Sequence, residues 1–243
     1  MTVVALQGLR GGAGATSLLA SLAWALHVLG ESVLVIDLSP DNQLRLHFNT
    51  AIDHPRGWLR TSLDQQPWQQ SALRYATGLD FIPFGQLSDR ELMAFLSQPL
   101  GYVDAWAARL AELKQTYRWV LLDVPAGETP WARAMVQLAD RSVSVVVPDA
   151  NCHIRLHQQR FPRDNLFLIN QFSTNSHAQQ DLHQLWLSSL KNLIPLHIHR
   201  DEAVAEALLR KQPFAEYRPQ SLAAEEMVTF ASWALINLRE KAQ

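Results

Sequence analysis

A glycine-dense turn set between a buried strand and a helix constrains this chain more than any other feature. Val3, Val4, Ala5 and Leu6 form the short apolar run that a strand needs when both its faces are covered. The turn from Gly8 to Gly14 follows it. From Thr16 to Leu29, apolar residues at Leu18, Leu19, Leu22, Ala25, Leu26 and Leu29 recur at helical spacing, and Gly30 is the stop signal. Ser32 to Leu38 (SVLVIDL) is a second buried strand. Strand, turn, helix and strand in this order predict a right-handed βαβ unit.

The turn itself, Gly8-Leu9-Arg10-Gly11-Gly12-Ala13-Gly14-Ala15-Thr16-Ser17, has the chemistry of an anion cradle. Glycines let the backbone curl and turn successive N–H groups toward one point, and the helix that follows adds the positive end of its dipole. Thr16 stands where the hydroxyl of a G-x-x-x-x-G-K-[ST] motif coordinates Mg²⁺. Ala15, however, stands where that motif has lysine. A glycine turn without lysine serves equally well as a packing turn, so the decision rests on context. Asp37 ends the second strand, and Asp123 lies near the end of the apolar strand Trp119–Val124. From such ends a carboxylate can hold Mg²⁺ or its waters. In a doubly wound sheet the carboxyl ends of the strands line one crevice, so loop, Asp37 and Asp123 are expected to converge.

The rest of the chain alternates in the same manner. Strands are expected at Leu79–Phe84, Ser142–Pro148, Leu166–Asn170 and Leu193–Ile198. Helices are expected at Ser88–Leu100, Tyr102–Lys114, Thr129–Ala139, Gln179–Leu190, Glu202–Leu209 and Ser221–Arg239. The stretch from Asn42 to Thr77 reads only as short helices and loops. With no linker or repeat, this predicts an α/β fold: a single domain over residues 1–243 with one doubly wound, mostly parallel sheet.

The ordered motifs resemble those of the MinD/ParA family of deviant Walker-motif P-loop ATPases, and within it the accessory ATPases of bacterial cellulose biosynthesis. The family's K-G-G-x-G-K-[ST]-[ST] falls on Arg10-Gly11-Gly12-Ala13-Gly14-Ala15-Thr16-Ser17. Its D-x-D-P falls on Asp37-Leu38-Ser39-Pro40, and its D-x-P-A-G on Asp123-Val124-Pro125-Ala126-Gly127. Asn170 matches an asparagine that contacts adenine in the family. Ile194-Pro195 with Asp201, Val204, Ala207 and Pro213 resembles the later loop on the base side.

The resemblance implies ATP and Mg²⁺ as ligands, with residues Arg10 to Ser17, Asn170, Pro195 and Asp201 around the nucleotide. It implies Thr16, Asp37 and Asp123 around the metal, partly through water. It further implies an ATP-dependent homodimer, a small regulatory partner, and contact with the membrane-bound cellulose synthase complex. Localisation would be cytoplasmic, with recruitment to the inner membrane or cell pole through partners. In the family the first lysine, here Arg10, reaches the partner subunit's phosphates. The second aspartate of D-x-D-P positions the attacking water; here that position is Ser39, with Asp41 two residues on. Asp37, Ser39 and Asp41 are thus the candidates for any catalytic role. A serine is a poor base at neutral pH, and no lysine meets the developing charge, so turnover is expected to be slow or absent.

Other function classes are weighed against composition. The net charge is -2, which argues against a dedicated DNA binder and so against the rival reading, a ParA-like partitioning or positioning ATPase acting on DNA or another polar cargo. Arg155, Arg160 and Arg163 are expected on a solvated face. A dinucleotide-dependent enzyme is a second rival, which the Asp37 and Asp123 pair disfavours. The single cysteine, Cys152, permits no intrachain disulfide and reads as a packing or loop residue. Nine histidines include the alternating His197 and His199, with His177 and His183 elsewhere, yet no compact set with acidic ligands is visible at a recognised spacing. Trp58, Trp68 and Trp131 are candidate interface residues. No apolar run approaches the roughly 20 residues of a membrane span, and no signal peptide is expected. The last helix, with Arg239 and Lys241 interrupted by Glu240, should pack on the sheet rather than insert into a membrane.

Overall fold

A computed structural model describes residues 1–239. Eight strands form one sheet: β1 (Thr2–Gly8), β2 (Val33–Asp37), β3 (Leu73–Ala76), β4 (Leu79–Ile82), β5 (Trp119–Val124), β6 (Arg141–Val146), β7 (Leu166–Phe172) and β8 (Leu193–His199). Their spatial order is β3-β4-β2-β5-β1-β6-β7-β8. Every pairing is parallel except β3 with β4. The fold is therefore the expected doubly wound, mostly parallel α/β sheet, with one antiparallel edge.

Alternate side chains of each central strand feed opposite faces. On one face Val4 and Leu6 of β1 join Leu18, Leu19 and Leu22 of α1 (Ala15–Val28) and Met227, Phe230 and Ala231 of α10 (Leu222–Asn237). On the other, Val3 and Ala5 join Trp58 of α2 (Trp58–Leu63), Phe95 of α3 (Asp89–Ser97), Trp106 of α4 (Val103–Leu113) and Trp131 of α5 (Pro130–Leu138). The remaining helices are α6 (Ala150–Gln158), α7 (His177–Ser189), α8 (Glu202–Leu209) and α9 (Phe214–Tyr217).

Three elements differ from the sequence reading. β3 lies in the stretch read as loop; it is a four-residue edge strand with a bulge between Arg74 and Ala76, too short to show alternation. α6 fills a stretch where no helix is expected. It buries only Cys152, so its apolar period is weak, and it is started by Asp149, whose carboxylate accepts the Cys152 N–H at 2.7 Å. α9 is a single turn. The last helix packs on α1, α9 and β8 as expected and ends at Asn237; Glu240 and Lys241 lie outside the described residues. Among the described residues no helix is long and apolar enough to cross a membrane.

The tryptophan expectation is corrected. Trp58 is fully buried and Trp131 nearly so; their rings stack at 5.7 Å, and Trp58 also meets Trp106 and Phe84 edge-on. Trp68 is half-buried, beneath the Arg109 guanidinium. The indoles of Trp58 and Trp131 are thus occupied within this chain, whereas one side of Trp68 stays open.

Candidate functional site

β1 sits at the middle of the sheet, and the chain leaves its carboxyl end into the glycine turn before α1 closes over it. The turn needs glycine at two places. Gly12 has φ +75° and Gly14 φ +84°, in the left-handed region. At Gly14 a Cβ would also stand 2.6 Å from Nδ2 of Asn170. Side chains from the end of β7 brace the turn: Asn170 donates to the Ala13 carbonyl at 2.8 Å and Gln171 to the Gly12 carbonyl at 2.9 Å. The Ala13 N–H is itself spent on the Arg10 carbonyl at 3.3 Å, so the N–H groups that open α1 are the donors left for an anion.

In front of the turn lies a cavity of about 270 Å³. Gly11 to Ser17 line it together with Ser39, Asp41, Gln43, His47 and Asp123. Thr16 Oγ1 donates to the Asp123 carboxylate at 2.9 and 3.2 Å. Asp37 and Asp123 are paired across adjacent strands, so their backbones converge as expected. Their side chains have different employment. Asp37 is fully buried and does not line the cavity; its carboxylate accepts the N–H groups of Ser39 and Leu44 at 2.9 and 3.2 Å, shaping the loop after β2. The backbone of that loop is held again from below, because the Trp58 indole N–H donates to the Asp37 carbonyl and the Trp131 indole N–H to the Leu38 carbonyl. Neither indole was legible as a positioning residue.

Burial pushes the Asp37 carboxyl well above its ordinary range, and the neighbouring Asp123 charge adds to the effect. Burial likewise raises Asp123 to about 7, with Asp41 contributing, although the Thr16 hydrogen bond works against the shift. Burial lowers His47 to about 4, so this ring, 3.5 Å from Ser17 Oγ, is neutral at neutral pH. Arg10 is thus the one permanently cationic side chain among the described residues lining the cavity. Its Nε and Nη2 both donate to Oδ2 of Asp149, at 3.0 and 2.6 Å.

A pocket lined by two carboxylates, Asp41 and Asp123, with Asp37 buried behind them and one engaged arginine, has little to offer a polyphosphate by charge alone. What it offers is backbone N–H groups, a helix N-terminus, and hard oxygen donors on Thr16 and Asp123. That set fits a Mg²⁺ ion, which prefers carboxylate and hydroxyl oxygens and could offset the like charges.

Of the remaining expected residues, Asp201 caps α8 through the Ala203 N–H and also accepts the Ala223 N–H. Pro195 is exposed on the edge strand β8, and Asn170 is nine-tenths buried beneath the turn with its amide spent on Ala13. None of these three lines the cavity; Asn170 acts here as a brace. Sequence reasoning missed Asp149 and His47. Asp149 lies three residues beyond the end of β6, past Val147 and Pro148, where the apolar strand pattern has already stopped. His47 lies in a five-residue 3₁₀ turn, Leu44–Phe48, with no periodicity to mark it. Cys152 is buried and its thiol accepts the Val147 N–H, in keeping with a packing role.

The histidine expectation also needs correction. His197 and His199 do meet an acidic residue, Glu226 of α10, with the potential ligand atoms of all three within 4.8 Å of one another. The sequence separation hides this.

The turn on a central parallel strand, the capping helix and the strand-end carboxylates define a P-loop protein of the MinD/ParA fold. The fold superposes on MinD of the Aquifex aeolicus MinC:MinD cell division complex with a TM-score of 0.79 at 18% identity, covering 100% of this chain and 99% of that one. MinD from Pyrococcus horikoshii complexed with Mg-ADP gives 0.76 at 19% identity, over 99% of each chain. More specifically, residues 1–235 match the family model for the cellulose biosynthesis protein BcsQ, and the chain belongs to that family. It is 49% identical over 239 residues to the cellulose biosynthesis protein BcsQ of Salmonella typhi, covering 98% of this chain and 95% of the relative.

Proposed function

We propose that this chain is an ATP- and Mg²⁺-binding homodimeric assembly or regulatory factor for bacterial cellulose biosynthesis and secretion, with slow or absent ATP hydrolysis. The observation that carries the reading is the contact of Thr16 with Asp123 at the mouth of the glycine turn. It brings a hydroxyl at a helix N-terminus and a strand-end carboxylate to one point, where a metal-bound phosphate would sit. The Mg-ADP held by the Pyrococcus horikoshii relative supports the same ligand class. When bound, Mg²⁺ would supply charge neutralisation between phosphate oxygens and the carboxylates. Thr16 and Asp123 would hold it, and Asp37, behind them, would keep the Ser39–Leu44 loop in place.

Hydrolysis is poorly provided for. Ala15 brings no charge to the phosphates, and at position 39 a serine hydroxyl cannot take a proton from water at neutral pH. Asp41 lines the cavity, and its backbone N–H donates to Ser39 Oγ at 3.4 Å. ATP in this reading acts as an assembly ligand: Arg10 leaves Asp149 when a second subunit presents phosphates. The family name supports the pathway, and the MinC:MinD complex supports action through a protein partner. A small regulatory protein and the membrane-bound cellulose synthase complex are the proposed partners. DNA is not among them, and recruitment from the cytoplasm to the inner membrane or cell pole would come through the partners.

Titration calorimetry with Mg-ATP, paired with light-scattering mass measurement, tests this. Wild type should bind and dimerise, Thr16→Ala should lose Mg²⁺-dependent binding, and phosphate release should stay near background. Brisk release abolished by Asp37→Ala would refute the assembly-ligand reading.

A further inference from the structure

We propose that His197, His199 and Glu226 form a binding site for a divalent transition-metal ion of the zinc class, bridging the edge strand β8 to the last helix α10. None of the three residues lines the cavity in front of the glycine turn.

Strand geometry makes the first half of the site. Residues two apart on a strand share a face, so His197 and His199 stand side by side around the buried Ile198, with ring centroids 4.7 Å apart. The last helix makes the second half. Glu226 Oε2 accepts the His199 backbone N–H at 2.7 Å, and Oε1 meets His199 Nδ1. The carboxylate is therefore fixed in direction before any ion arrives. A proton shared between Oε1 and Nδ1 is what a metal would displace.

The dimensions suit such an ion. Zinc lies about 2.0–2.2 Å from nitrogen and oxygen ligands, which puts pairs of ligand atoms roughly 3.3–3.5 Å apart in a tetrahedron. From a spread of 4.8 Å, small ring rotations close the set. A fourth ligand is near: the His183 ring of α7 is 5.3 Å from His197. Phe172 lies 4.6 to 5.5 Å from the three imidazoles and gives the site an apolar wall. All three primary residues are half-buried, with the His199 and Glu226 side chains 19% and 18% exposed, so an ion can enter but is partly shielded from water. The donor set decides the metal class. Imidazole with one carboxylate favours zinc-like ions and gives Mg²⁺ and Ca²⁺, which want oxygen ligands, little to bind. A metal there would staple α10 to the sheet edge, and α10 also packs on α1.

The test uses full-length protein stripped with chelator and free of nucleotide. Zn²⁺ is titrated against a chromophoric chelator, and Co²⁺ is added separately to read its visible spectrum. Wild type should take up a single tight equivalent and give the intense Co²⁺ bands of a low-coordinate, imidazole-ligated site. The double variant His197→Ala/His199→Ala should lose at least about 100-fold in affinity, and Glu226→Gln, which keeps size and an acceptor for the His199 N–H, about 10- to 100-fold. His157→Ala, on α6, should bind as wild type does. Wild type binding no better than Glu226→Gln, or Co²⁺ remaining octahedral and pale in the wild type, would overturn the site even if the double variant fails to fold.

Discussion

If Arg10 is the cation that a second subunit's phosphates need, its bond to Asp149 holds it in reserve, and Asp149→Asn should release it. The substitution is chosen because Asp149 has two employments. Its Oδ1 accepts the Cys152 N–H at 2.7 Å to start α6, a role asparagine can keep, whereas Oδ2 alone takes both Arg10 N–H groups. That convergence on one oxygen is weaker than a parallel fork onto two. The two side chains are 24% and 32% exposed, so solvent screens the pair further. About 1 kcal/mol per subunit is a reasonable value for it. Releasing one arginine is then worth about fivefold, and a symmetric dimer using both would tighten roughly 25- to 30-fold in the presence of ATP. Sedimentation equilibrium with and without Mg-ATP measures this directly. Without nucleotide, Asp149→Asn and wild type should both be monomeric. Asp149→Ala supplies a control, since it also loses the cap and about 1 kcal/mol of stability. Equal or weaker ATP-dependent association of Asp149→Asn, with Arg10→Ala also unchanged, would refute the idea that Arg10 is latched for use between subunits.

Three further outcomes follow from the site. Asp123, raised to about 7 in the folded chain against an ordinary 3.8, binds its proton more tightly when folded; metal-free stability from this group is full at low pH and declines as pH rises through about 7. Mg-ATP, which requires the ionised carboxylate, should therefore bind more tightly at about pH 8 than at about pH 6, and calorimetry showing the reverse would contradict the assignment. Gly14→Ala should destabilise the chain by about 2 kcal/mol or more and abolish nucleotide binding, because left-handed φ and the Asn170 amide both oppose a Cβ; denaturant unfolding and calorimetry check it. Trp131→Phe keeps most of the ring packing but leaves the Leu38 carbonyl unpaired, so unfolding should cost about 1–2 kcal/mol less and ATP affinity should weaken through the loosened loop after β2.

Much of the fold was written in local pattern. The apolar run of β1, the glycines, the helical period of α1 and the strand ends at Asp37 and Asp123 act over short stretches of chain. Covering both faces of a strand and turning a backbone sharply impose those residue types directly. Thr16 and Asp123 met as expected for the same reason: parallel strands in a doubly wound sheet bring their carboxyl ends to one edge. Elements with little burial were invisible, as β3 and α6 show.

Tertiary structure alone decided the employment of individual side chains. Asp37 turned inward to two backbone N–H groups, Asn170 became a brace under Gly14, and Arg10 found Asp149 across 139 positions of sequence. Trp58 and Trp131, eligible by type for an interface, were drawn into the core by mutual stacking and by carbonyls that only their indole N–H groups could reach. His197 and His199 announced a shared strand face, but Glu226 joined them only when α10 folded back over the sheet edge. Hydrophobic period sets which elements form and which face they bury. Hydrogen bonds and ion pairs act over about 3 Å, and no pattern in a linear chain states which distant groups will come that close.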